Sequence, residues 1–364
     1  MIRRTGRVVR LAVLAASWAT LAGAAGCAAQ GSGVGTPAPG GDAARLYVAS
    51  QEAMSVAVFD MASGALLETV DLTAFGFSPT GKAHHVAVEP DGSFWYVSLI
   101  ADGAVLKFDR ANALVGRAGF ETPGMLALDP GSDLLYVGRS MAAVSPPQRI
   151  GMIRRSTMEL EEVDVFVPRP HALTLDPVGH RVFTASLGES RLAYAPIGVE
   201  EMDLASFPGH HHMIVQFAVS PDGRWMVGGG QMSGQLLVWD LSGAEPEVVR
   251  TVEVGGQPWH PSFTPDGSEL WVPNQAANTV TVLRTADWSV VDVIAHDGLA
   301  EPHGSAISPD GRTVFVSGRN TRGTWGQGNP GTVVVIDRAT REVRQVVEVG
   351  AYAAGMAAPP TPRP

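Results

Sequence analysis

A tight-turn motif that returns at nearly constant spacing is the strongest constraint on this chain. A proline followed by Asp-Gly or a variant of it stands at Pro90, Pro130, Pro177, Pro221, Pro265 and Pro309, at intervals of 40, 47, 44, 44 and 44 residues. Proline presets one backbone angle of a tight turn and glycine accepts the other, so the chain reverses at each recurrence. Ahead of the turns lie short apolar stretches: HHVAVE, GMLALD, HALTLD, QFAVS, HPSFT and HGSAIS. Behind them come β-branched or aromatic ones: FWYVSL, LLYVGR, RVFTAS, RWMVGG, ELWVPN and TVFVSG. A third stretch follows, as in QLLVWD or TVVVID, and a fourth, as in EVVRTVEV, ends the unit. Four short strands per unit, joined by Gly-rich turns, cannot bury their faces alone and must stack on neighbours. That is the pattern of a β-propeller blade.

The two ends complete the count. Residues 45–72 supply RLYVAS, SVAVFD and ALLETVDL, which are second, third and fourth strands without a first. The C-terminal YAAGMAAPP matches the first-strand stretch ETPGMLALDP. The expected fold is therefore all-β: a seven-bladed propeller over residues 45–358, its ring closed by pairing of the C-terminal strand with the N-terminal blade. Residues 359–364 form a tail. Charged residues make up 17% of the chain and apolar ones 45%, which argues against disorder over most of its length. A single cysteine excludes an internal disulfide and any zinc site built from paired cysteines. Acidic residues outnumber basic ones 36 to 26, so no basic excess exists to neutralise phosphates, and nucleic acid is not an expected partner.

The N-terminus reads as an address. Arg3, Arg4, Arg7 and Arg10 precede an apolar run from Leu11 to Ala25, and the only cysteine, Cys27, follows Ala24-Ala25-Gly26. A positive start, a short apolar run and small residues make an export signal over residues 1–26. The sequence at the cysteine resembles a bacterial lipoprotein signal, which implies lipidation of Cys27 and a membrane partner through that anchor. Residues 27–44, rich in Ala, Gly, Ser, Thr and Pro, read as a flexible tether. The expected location is outside the cytoplasm, anchored at the outer membrane on its periplasmic side or at the cell surface.

LWVPNQAANTVTVLRTADWSVV (270–291) and TVVVIDRATREVRQVVEVG (332–350) resemble the YVTN-type propeller repeat of bacterial surface and periplasmic proteins. The resemblance implies the fold and is nearly silent on activity, because propellers host many unrelated functions.

Histidine stands out against the repeat. Eight of the ten lie at or just ahead of a blade's first strand: His84, His85, His171, His210, His211, His212, His260 and His303. Met125 and Met356 hold the equivalent place in the two remaining blades, and Met54, Met141 and Met232 lie on loops of the same side. First strands line the central channel, so these side chains are expected at one mouth. Neutral imidazole is the commonest metal ligand and thioether suits soft copper. The candidate metal set is His84, His85, His171, His212, His260, His303, Met125 and Met356, with copper as the suited metal. The pair His84-His85 is similar in kind to one in the copper-cluster propeller of nitrous oxide reductases, although the cluster itself does not carry over.

PHALTLDP and PHGSAISPDG look like segments of propeller lactonases, which open cyclic esters. That likeness implies His85 or His303 as base, Glu301 as acid, and Arg139 or Arg319 as clamp for the developing oxyanion. The loop 319–331 (RNTRGTWGQGNPG) could place Trp325 over the mouth. Its GQGNPG matches a dinucleotide fingerprint only formally, since no strand-to-helix turn surrounds it. Three classes stay open: a ligand- or metal-binding protein, a protein-interaction scaffold, and a lactonase-type hydrolase.

Overall fold

The computed structural model describes residues 44–176, 178–209 and 212–360. The expected signal peptide, Cys27, most of the tether, His210 and His211 lie outside the described residues. The fold is all-β, with seven four-stranded antiparallel sheets arranged as a propeller. One short 3-10 turn at Leu72–Phe75 is its sole helical element among the described residues.

Ring closure follows the sequence expectation. The strand Ala353–Ala357 pairs antiparallel with Arg45–Ser50, so blade one joins the C-terminal strand to Ser55–Asp60 and Leu66–Asp71. Blades two to seven follow in chain order, with innermost strands at Ala83–Val88, Pro123–Leu128, Pro170–Asp176, Ile214–Val219, Ser262–Phe263 and Pro302–Ile307. Alternation along the second strands sends large side chains between blades. Tyr47, Tyr96, Tyr136, Phe183, Trp271 and Phe315 all occupy the third position of their strands and are fully buried.

Each innermost strand begins with the same unusual turn. Lys82, Thr122, Arg169, Met213, Gln257, Glu301 and Tyr352 all have positive φ, between 46° and 62°, and none is glycine. Such a conformation costs a non-glycine residue about 1–2 kcal/mol. What holds it is a hydrogen bond repeated in every blade. The carbonyls of these seven residues accept the N–H groups of Ile100, Ser140, Leu187, Gln231, Gln275, Arg319 and Gln51, each the first residue beyond a second strand. The turn thus clamps the start of the inner strand to the end of its neighbour at one height around the ring.

Just past this turn the ladder slips. Pairing with the second strand shifts between Ala83 and Val86, Pro123 and Leu126, Pro170 and Ala172, Ile214 and Phe217, and Pro302 and Ser305. In blade six Pro258 bridges Asn274 and the regular ladder resumes only at Ser262; between them the Trp259 N–H donates to the Pro273 carbonyl at 2.8 Å and the His260 N–H to the His303 carbonyl at 3.1 Å. A bulge breaks the alternation of faces, so adjacent residues can both be aimed off the sheet plane.

Removing the closing strand should open the ring. Ala353 and Met356 are buried in the cluster that includes Leu46, Phe59 and Phe315, and Ala354 is fully buried beside them in the strand. We expect Met356→Ala alone to cost about 2–4 kcal/mol in urea unfolding. Deletion of residues 352–364 should cost more and lower the thermal midpoint by at least about 10 °C. A truncated chain as stable as the full one would contradict this closure.

Candidate functional site

The bulged entries carry the histidines, and five of their rings meet on the channel axis. The His84 ring centroid lies 6.2 Å from that of His171 and 6.1 Å from that of His303. His85 and His260 are 5.9 Å apart, and His260 and His303 are 4.4 Å apart. Blades two, four, six and seven therefore touch across the ring rather than only along its circumference. All five rings are buried, with His171 and His303 each 1% exposed. His84 and His85 are neighbours in sequence, yet both reach the axis, because the ladder slips between Ala83 and Val86. Gly355 leaves room for one of them: a Cβ there would lie 2.5 Å from the His85 ring.

Hydrogen bonds fix several tautomers. His171 Nδ1 lies 2.7 Å from the Arg139 carbonyl oxygen, which can only accept, so this nitrogen carries the proton. His84 Nδ1 faces Gln51 Oε1 at 3.3 Å in the same sense. His85 is the reverse, its Nδ1 accepting the Leu126 N–H at 3.2 Å. His84 Nε2 and His303 Nδ1 are buried without a partner, as are Trp259 Nε1 and Arg319 Nε. Trp259 lies parallel to His260 and edge-on to His303, with centroids 6.1 and 5.0 Å apart. Arg319 lies over the Tyr352 ring at 4.3 Å.

Among the described residues, no carboxylate acts on these five rings. Burial holds all five imidazoles below their ordinary range, to about 3 for His85 and about 4 for His171. Neighbouring rings add to the effect at His84, His85, His260 and His303, and Arg319 adds to it at His84 and His303. Burial raises the Glu301 carboxyl, but the Thr321 hydroxyl and the Arg322 N–H outweigh that and hold it below its ordinary range. It accepts from Thr321 Oγ1 at 2.6 Å and the Arg322 N–H at 3.0 Å, and pairs with Arg322 Nε at 3.5 Å.

The other residues singled out in the sequence stand elsewhere. Met125 belongs to the apolar layer that includes Tyr136 and Leu173, and Met356 to the one that includes Leu46 and Phe315. Met356 pairs with Val48, as Leu126 does with Val137, so the GMAA and GMLA segments align one residue out of step. Such a slip exchanges the two faces of a strand. His212 binds Ser233 Oγ, in the turn after the second strand of blade five, at 3.0 Å and the Pro208 carbonyl of its own loop at 2.9 Å, which occupies both ring nitrogens. The Arg139 side chain turns away from the axis, to the Glu121 carbonyl at 2.7 Å, Glu162 at 3.2 Å and the face of Phe120 at 3.9 Å. Trp325 sits 6.0 Å from His296 at the outer rim, its loop pinned by Asn320.

His84 and His171 keep an Nε2 lone pair while Nδ1–H is anchored to oxygen, which is how metal-ligating histidines are usually oriented. Among the described residues, however, no three His, Cys, Asp or Glu side chains are disposed to hold one metal ion. The thioethers that would favour copper pack in the core. What converges instead is imidazole, an indole N–H and a guanidinium.

Searches with family models match none. The 6-phosphogluconolactonase of Erwinia tasmaniensis is 22% identical over 305 residues, covering 76% of this chain and 88% of that protein. Among solved structures, a functionally unknown protein from Desulfotomaculum acetoxidans aligns with a TM-score of 0.69 at 14% identity, covering 86% of this chain and 98% of that one. A putative 6-phosphogluconolactonase from Bacteroides fragilis gives 0.66 at 14% identity, with 88% and 99% covered. Hydrazine synthase of Kuenenia stuttgartiensis gives 0.62 at 18%, with 75% and 88% covered. The chain is a seven-bladed propeller with weak similarity to a lactonase; the structural likenesses speak for the fold alone.

Five uncharged buried imidazoles make stability fall with acid. A histidine whose folded pKa lies below its unfolded value, about 6.5, costs stability as pH falls from 6.5 towards the folded pKa. The unfolded chain then binds the proton and the folded one does not. For His85 and His171 the window runs from about 6.5 down to about 3 and about 4. The cost approaches about 1.4 kcal/mol per pH unit for each ring. Urea midpoints should drop steeply between pH 7 and pH 5, and less so in His85→Asn. A midpoint independent of pH over that range would contradict the buried neutral cluster.

Proposed function

We propose that this propeller binds a small ligand rich in oxygen acceptors at the histidine-lined end of its channel. The observation that carries this reading is the set of unpartnered buried polar atoms there. Trp259 Nε1 and Arg319 Nε can only donate, and His303 Nδ1 and His84 Nε2 stand beside them. Buried donors without acceptors cost about 1–3 kcal/mol each, a cost that a carbonyl, hydroxyl or carboxylate oxygen relieves. Arg319 also places positive charge beside the rings, which favours an electron-rich ligand over a metal cation.

Lactone hydrolysis is the second reading, favoured by the similarity to a 6-phosphogluconolactonase. Arg319 is placed to polarise an ester carbonyl, and His303 or His84, neutral at pH 7, to accept a proton from water. Glu301 takes a supporting role, tying the Arg319 turn to Thr321 and Arg322. Arg139 has no part in it.

The expected export and lipid anchoring belong to the same proposal, because they would present the mouth to ligands outside the cytoplasm. Wild-type protein should partition into detergent with membranes, and Cys27→Ser should abolish that partitioning. Recovery of the wild type as a soluble protein starting beyond Cys27 would refute the anchor.

The binding reading is tested with glucono-1,5-lactone followed by tryptophan fluorescence, because Trp259 adjoins two of the rings. We expect saturable quenching that Arg319→Met weakens at least ten-fold and His212→Ala leaves unchanged. Hydrolysis above the spontaneous rate, lost in His303→Ala, would establish the second reading. Stoichiometric copper in the purified protein, with no lactone effect, would overturn both in favour of a metal site.

A further inference from the structure

We propose that the mouth takes up an oxyanion, the carboxylate, sulfate or phosphate group of a small ligand, together with a proton. This rests on the binding reading above and adds the charge of the ligand and the means of holding it. The first observation is the cation. Arg319 lies over Tyr352, its buried Nε has no partner, and the acid of its own turn, Glu301, is taken by Thr321 and Arg322. A guanidinium in that position is a natural seat for a planar or tetrahedral oxyanion.

The second observation is the direction of the ring protons. His171 spends its Nδ1–H on the Arg139 carbonyl and His84 on Gln51 Oε1, so in the neutral rings Nε2 offers only a lone pair. The Gln51 amide is oriented by its own bond to Glu52, at 3.4 Å. Lone pairs repel an anion. Either ring can donate to an oxyanion through Nε2 only by gaining a proton there, while its Nδ1–H bond stays in place.

The third observation is the charge around the cluster. The titratable and charged groups facing it are the five rings, Arg169 before His171, Arg319 and Tyr352, with Glu301 and Glu52 behind Arg319. Positive and neutral groups surround the axis, and the acids stand outside it. A proton added to the cluster is opposed by burial, by the neighbouring rings and by Arg319, with the Arg139 carbonyl alone favouring it at His171; an oxyanion supplies the missing negative charge. Ligand and proton therefore stabilise one another, and neither is favoured alone. Trp259 Nε1–H completes the donor set without any change of protonation.

The test is calorimetry of the full chain with sulfate and with gluconate at constant ionic strength, in two buffers of different ionisation enthalpy, at pH 5.5, 6.5 and 7.5. We expect saturable binding, net proton uptake, and affinity rising towards about ten-fold per pH unit as the pH falls. Arg319→Met should abolish binding. Trp259→Phe, which keeps an aromatic ring and removes only the N–H, should weaken it several-fold. His84→Gln should flatten the pH dependence. Affinity that does not change with pH, proton release, or binding indifferent to Arg319→Met would overturn the proposal. If the lactone binds and neither anion does, the proposal falls and the broader reading stands. If none of the three binds, both fall.

Discussion

Everything at the mouth depends on one hydrogen bond made seven times. In each blade a left-handed residue turns its carbonyl to the first N–H beyond a second strand, and so starts an inner strand at a defined height. The backbone cost of that turn, about 1–2 kcal/mol per blade, is tolerated because both ends of the bond belong to packed strands. The bulge that follows frees the next residues from strict alternation. Histidine at those places is therefore delivered to the axis from blades two, four, six and seven alike.

The chemistry of the cluster follows from what is missing around it. A buried imidazole usually finds a carboxylate or gives up its charge. Here the acids stand aside: Glu301 faces the 319–331 loop and Glu52 pairs with Lys82 at 2.7 Å. The rings consequently stay neutral, and two of their nitrogens, His84 Nε2 and His303 Nδ1, are buried without a partner. Trp259 Nε1 and Arg319 Nε add two unpartnered donors beside the rings.

Much of this was legible in the residues. The spaced Pro-Asp-Gly turns give the blade count, and the partial unit at each end gives the closure. The five histidines could be gathered because equivalent positions of a closed ring share a height. The left-handed turn was not legible, because Lys, Thr, Arg, Met, Gln, Glu and Tyr share no side-chain property; the tertiary hydrogen bond selects the conformation, not the residue type. Met356 was misplaced for a related reason, since a match of Gly-Met to Gly-Met ignores a one-residue offset that only strand pairing reveals. His212 follows a longer entry loop and is held by that loop and by Ser233, and Arg139 ends a second strand whose outer neighbours claim it. Trp259 carried a faint signal, as it stands two residues after the left-handed Gln257, where His84, His171 and His303 stand after theirs.

The strand that closes the ring also finishes the site. Tyr352, at its entry, underlies Arg319, and Gly355, within it, makes space for His85. A chain without this strand therefore lacks both the floor under Arg319 and the space for His85. Occupancy and closure are then a single equilibrium: whatever binds among the rings adds its free energy to the latch between the two termini. A ligand would act as a rivet, and its departure would loosen the molecule first at blade one.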